Sequence, residues 1–154
     1  MDYEVSMSAP SDEEINKLAT EIQLLEATLN VIKSRLDMTE ATLNESQMAL
    51  ETLKALESAK EGDDILVPIG AGSYIFAKVE NINKVVVGVG ANVCVEKGIK
   101  ESIDMINERI AKLEQIKASL QQQFIQASQR LDENRGNLER LIRVREAGGS
   151  ARKP

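Results

Sequence analysis

INKLATEIQLLEATLNVIKSRLDMTEATLNESQMALETL, residues 15–53, repeats its apolar side chains at alternating steps of three and four. The series runs Ile15, Leu18, Ile22, Leu25, Leu29, Ile32, Leu36, Thr39, Leu43, Ser46, Leu50 and Leu53, and only Thr39 and Ser46 interrupt its apolar character. A second series follows Ile99: Ile103, Ile106, Ile110, Leu113, Lys117, Leu120, Phe124, Ala127, Leu131, Asn134, Leu138 and Leu141. A side chain every 3.5 residues stays turned toward a partner helix under a left-handed supercoil, so each run predicts one strand of a coiled coil. One chain carries both runs. The segment between them turns the chain back, so the two helices can pair antiparallel.

That segment reads as four short strands. Asp64–Gly70 and residues 73–80 flank Gly70-Ala71-Gly72, and residues 84–90 and 92–97 flank Gly90-Ala91-Asn92. Glycine and asparagine between apolar runs mark hairpin turns. Pro68 has no N–H to donate, which places its strand at a sheet edge. Ser11 followed by Asp12, Glu13 and Glu14 is a helix start, with Ser11 as cap and Glu14 closing a capping box. The expected organisation is a disordered lead over 1–11, a helix over 12–60, hairpins over 61–98, a helix over 99–147 and a flexible tail over 148–154.

The β segment is apolar beyond what its size can bury. Val85-Val86-Val87 puts valine on both faces of a strand, and Leu66-Val67-Pro68-Ile69 does the same. Two hairpins alone bury little, and apolar faces with open edges ask for cover. The same region of other subunits would supply it by closing a sheet or barrel. Leu66, Val67, Ile69, Ile75, Val86, Val87, Val89 and Val95 are the expected oligomerisation residues. The fold class is α+β: a long antiparallel two-helix coiled coil joined by two β-hairpins that assemble into an intersubunit β-barrel.

Composition agrees. Aromatics are 3% of 154 residues and tryptophan is absent, which suits helix seams better than a thick core. A net charge of -6 with both signs interspersed suits a solvated coiled-coil surface and argues against a nucleic-acid partner. No apolar stretch reaches the roughly 18 residues of a spanning helix, so no membrane role is expected. The first residues have neither the basic nor the apolar region of a signal peptide. Cys94 is the single cysteine and histidine is absent. Disulfides within the chain are therefore excluded, and histidine-based catalysis or metal binding has no ligand.

No catalytic, cofactor or metal site is expected. Gly70/Gly72 and Gly88/Gly90 lie between strands, where hairpin turns want them, rather than opening a helix as a phosphate loop does. Cys94 reads as a buried strand thiol without an activating partner. Thr39, Lys117 and Asn134 interrupt the seams, either as register-setting polar groups or as tolerated breaks. Leu24, Val31 and Met38 form a seven-residue stripe two positions past the seam, and Ile125, Ile142 and Val144 also lie outside it. Such a line is covered by a neighbouring arm or is itself a binding surface.

LVPIGAGSYIFAKV at residues 66–79 and VVVGVGANVCVEK at 85–97, set between two coiled-coil runs, resemble the prefoldin family, specifically its archaeal alpha class. Two hairpins rather than one separate that class from the beta class. The resemblance covers nearly the whole chain. It implies a cytoplasmic hexamer of two alpha and four beta subunits, with a β-barrel body and coiled-coil arms. It further implies ATP-independent holding of non-native polypeptides at the arm tips and their delivery to a group II chaperonin. Some alpha-like members assemble with themselves as filaments, and a purely structural coiled coil is the other alternative. In that frame the expected client-binding residues are Ile15, Leu18, Ile22, Leu25, Leu131, Leu138, Leu141 and Ile142, seam positions where the open helix ends fray.

Overall fold

The computed structural model describes residues 10–150; residues 1–9 of the expected lead over 1–11 and residues 151–154 of the expected tail over 148–154 lie outside the described residues. Helix α1 is Asp12–Glu57, followed by β1 (Asp64–Gly70), β2 (Ser73–Lys78), β3 (Val85–Gly90), β4 (Val93–Lys97) and helix α2 (Ile99–Ser150). β1 pairs antiparallel with β2, and β3 with β4, as separate two-stranded sheets. The chain divides into a terminal unit, residues up to 37 and from 118, and a central unit, residues 38–117. Both helices contribute to both units.

The capping box at the start of α1 is made. Glu14 N–H donates to Ser11 Oγ at 3.2 Å, and Ser11 N–H donates to Glu14 Oε2 at 3.1 Å. These bonds satisfy donors that a helix start leaves free.

The far end of α1 falls at Glu57, three residues short of the expected 60. Ser58 and Ala59 donate to carbonyls three residues back, at 3.3 and 3.1 Å, which tightens the last turn. Asp63 then turns the chain, its carboxylate accepting from Lys60 N–H at 2.8 Å. Gly62, at φ 87°, donates to Val79 O at 2.7 Å and ties this loop to the residue after β2.

Helix α2 runs past the expected Ala147 and takes in Gly148, Gly149 and Ser150. Each further residue on an existing helix closes one more backbone bond, which offsets glycine's penalty of about 1 kcal/mol.

Every position of both heptad runs is buried or half-buried, the four polar ones included. In the terminal unit Asp12 pairs with Arg145, and Glu26 with Arg135 at 2.7 Å. In the central unit Lys117 Nζ lies 3.5 Å from Glu40 Oε1, and Leu53 packs in one cluster with Ile106. Each unit by itself therefore pairs its helices antiparallel.

The core of the central unit is Leu53, Val87 and Ile106, with Leu50, Val85, Ile103, Met105 and Ile110 packed against it. This corrects one expectation. Val87, 6% exposed, is covered by the chain's own helices and is not open to another subunit. Arg109 holds the same hairpin, its Nη2 donating to Gly88 O at 2.6 Å. Ser102 is fully buried in the first turn of α2, where its N–H and Oγ both donate to Gly98 O, at 2.9 and 2.8 Å.

Candidate interaction surfaces

Both hairpins turn the same way. Gly70 faces Ser73 across the tip and Gly90 faces Val93, leaving Ala71-Gly72 and Ala91-Asn92 as the two-residue loops. All four loop residues have positive φ: 49° and 69° in the first loop, 50° and 59° in the second. Two left-handed residues match the strand twist, which is why glycine and asparagine are favoured here. Each hairpin also carries a register shift just before its turn, between Pro68 and Gly70 and between Gly88 and Gly90. The two hairpins are copies of one design.

They differ in what covers them. In the second, Val85 and Val87 pack against α1 and α2, Val95 is half-buried, and Val86 on the other face is exposed. In the first, Ile65, Val67 and Ala77 are half-buried, while Leu66, Tyr74 and Phe76 stand open. Leu66 is registered with Phe76 and Pro68 with Tyr74, so these four share one face. Phe76, at 86% exposed, is the barest large apolar side chain of the described residues.

Of the expected oligomerisation residues, Leu66, Ile69, Ile75, Val86 and Val89 are exposed, Val67 and Val95 are half-buried, and Val87 is buried. The sequence reading missed Tyr74, Phe76 and Val93. Counting strand positions back from the Ala71-Gly72 turn would have found Phe76, because the register puts it opposite Leu66. The ion pair of Lys78 with Asp64 at 2.7 Å closes the base of the first hairpin, and Lys84 lies 3.7 Å from Glu96 in the second. Exposed pairs of this kind contribute little stability.

The second surface belongs to the terminal unit. Ile15, Leu18, Ile22, Leu25, Leu138 and Leu141 are half-buried between α1 and α2, and Ile142 is exposed. Leu131 is buried in the seam and offers no free surface to a client. Leu18 and Leu141 floor a shallow groove of about 380 Å³, rimmed by Glu14, Lys17, Glu21, Asn137 and Arg140. Outside the seam Leu24, Val31 and Met38 are exposed along α1, with Leu24 at 68%. Ile125, Ile142 and Val144 are exposed along α2. Met48 and Ile116, which the heptad reading passed over, are exposed as well.

Two of the polar breaks, Asn134 and Lys117, have partners from the facing helix. Asn134 Nδ2 donates to Glu21 Oε2 at 3.2 Å, and Lys117 reaches Glu40. Ser46 bonds instead to its own helix, its Oγ donating to Thr42 O at 2.8 Å. Cys94 is exposed on β4, not buried as its strand position suggested: its register partner across the hairpin is Gly88, which has no side chain to cover it. Among the described residues, no three of Cys, Asp and Glu are placed to hold a metal, and no helix is long and apolar enough to cross a membrane.

Comparison with known proteins gives one answer. The family model described as "Prefoldin subunit" matches residues 25–144. The prefoldin subunit alpha of Nitrosopumilus maritimus is 29% identical over 139 residues, covering 90% of this chain and 95% of that protein. The prefoldin subunit alpha of Pyrococcus horikoshii is 31% identical over 126 residues, covering 81% and 85%. Among solved structures, the filamentous PFD of Methanocaldococcus jannaschii, determined by cryo-EM, superposes with a TM-score of 0.65. It is 27% identical, over 77% of this chain and 98% of that one. Two helices around two glycine-turned hairpins, matched over most of their length to archaeal alpha subunits, place the chain in the prefoldin family of molecular chaperones.

Proposed function

We propose that the chain is the alpha-class subunit of an ATP-independent holdase, which keeps non-native polypeptides from aggregating and passes them to a group II chaperonin. The observation that carries the reading is apolar side chains left open on a densely charged helix pair. In the terminal unit Leu24, Val31, Ile125, Ile142 and Val144 are bare to solvent. A holdase needs such surface on a scaffold that does not close on it. Several shallow contacts around one client add up by multivalency without a deep pocket. The half-buried seam residues Ile15, Leu18, Ile22, Leu25, Leu138 and Leu141 enlarge this surface when the helix ends fray.

The exposed face of the first hairpin supports assembly. Leu66, Pro68, Tyr74 and Phe76 find cover in an intersubunit β-barrel with beta-class subunits, in a hexamer of two alpha and four beta chains. Such a particle works in the cytoplasm, without nucleotide, nucleic acid or membrane, and catalyses no reaction.

The test is aggregation of an unfolded protein, followed by light scattering, with this chain and a beta-class partner. Replacing Leu24, Val31, Ile142 and Val144 together by Gln leaves the seam intact. Protection falls sharply while the mass of the complex stays constant. Undiminished protection would refute the reading.

Self-assembly is the second reading, favoured by the likeness to the filamentous archaeal structure. Light scattering on the chain alone separates the two: long polymers without a partner favour it, and discrete small species favour the hexamer.

A further inference from the structure

The seam of the terminal unit is hydrocarbon except at Asn134. That side chain is 8% exposed and its amide donates to Glu21 of the facing helix at 3.2 Å. The next residue, Arg135, reaches the same helix from the flank, donating to Glu26 at 2.7 Å. Two adjacent residues of α2 thus hold two carboxylates that bracket Ile22 and Leu25 on α1.

Taken by itself, the hydrocarbon part of the terminal seam does not single out one alignment. Leucine and isoleucine recur every 3.5 residues, so a slide of seven residues lays apolar on apolar again. The polar pair does discriminate. A seven-residue slide one way brings Asn134 to Glu14 but sets Arg135 against Ala19. A slide the other way brings Asn134 to Thr28 and Arg135 to Lys33, a like charge. Only the observed alignment satisfies both.

We propose that Asn134 and Arg135, with Glu21 and Glu26, form a latch that fixes the register and the two-stranded state of the terminal helix pair. The latch sacrifices seam hydrophobicity for a unique alignment, the trade a buried asparagine makes in coiled coils. It stands independently of client holding and of assembly through the hairpins.

The test is an electron-spin distance measurement on the full chain in a Cys94→Ser background. Labels go at Asn30 and Gln126, both exposed in the same unit. The parent gives one narrow distance, unchanged on dilution with unlabelled chain. In Asn134→Leu/Arg135→Ala a second population appears, shifted along the helix by about 10 Å for one heptad, or the signal fades on dilution as helices pair between molecules. Leu at 134 adds hydrocarbon to a hydrocarbon seam, so the pair stays helical by circular dichroism. Arg143→Ala, which removes an exposed ion pair within α2, keeps the single distance. An unchanged single distance in the double variant overturns the latch, and so does a second population in the control.

Discussion

Val87 and Phe76 lie on the two hairpins with opposite surroundings, and their truncation to alanine should have opposite consequences. Val87 is 6% exposed and packs with Leu53 and Ile106. Val87→Ala removes two buried carbons, about 0.8 kcal/mol each. The gap left adds close to 1 kcal/mol at about 24 cal/mol per Å³ for roughly 35 Å³. The sum is about 2–2.5 kcal/mol of lost stability in the chain itself. Phe76 is 86% exposed, so Phe76→Ala should change the isolated chain by less than about 0.5 kcal/mol. If another subunit covers Phe76, its loss should cost assembly about 1.5–3 kcal/mol per copy, a ten- to hundredfold weakening. Urea unfolding by far-UV circular dichroism, at concentrations where light scattering shows monomer, reads the first effect. Titration with a beta-class subunit, followed by native mass, reads the second. Equal destabilisation of the monomer by both substitutions would refute the assignment of Val87 to the chain's own core. Unweakened assembly in Phe76→Ala would refute the assignment of Phe76 to the interface.

Other expectations concern local structure. Ala71, left-handed at φ 49°, should yield to Ala71→Asn with a gain of about 0.5–1 kcal/mol, since Asn-Gly suits a two-residue turn; urea unfolding checks it. Ser11→Ala should cost about 1 kcal/mol of local stability and speed amide exchange in the first turn of α1 alone, read by hydrogen–deuterium exchange. Arg109→Ala should free the second hairpin from α2 at a cost of about 1 kcal/mol, with faster exchange in β3 and little change in β1.

The heptad runs were legible because helical periodicity is local. All of their positions, from Ile15 to Leu53 and from Ile103 to Leu141, come to rest in the seam, and no long-range information was needed to choose them. The hairpin turns were legible for the same reason: Gly70, Gly72, Gly90 and Asn92 mark them by residue type, although the left-handed backbone of Ala71 and Ala91 is set by the hairpins and not by alanine. Val85-Val86-Val87 was not legible, because three valines in a row have no alternation to say which face turns inward. Packing on Leu53 and Ile106 decides it, burying Val87 and leaving Val86 bare. The partners of the seam breaks were hidden as well. Glu21 and Glu40 are off-seam residues distant in sequence from Asn134 and Lys117, and only the antiparallel alignment brings them together. Residue type and spacing set what each segment can form; which copy of a repeated pattern is covered, and which polar groups meet, depends on contacts between residues far apart in the chain, and only the tertiary structure decides those.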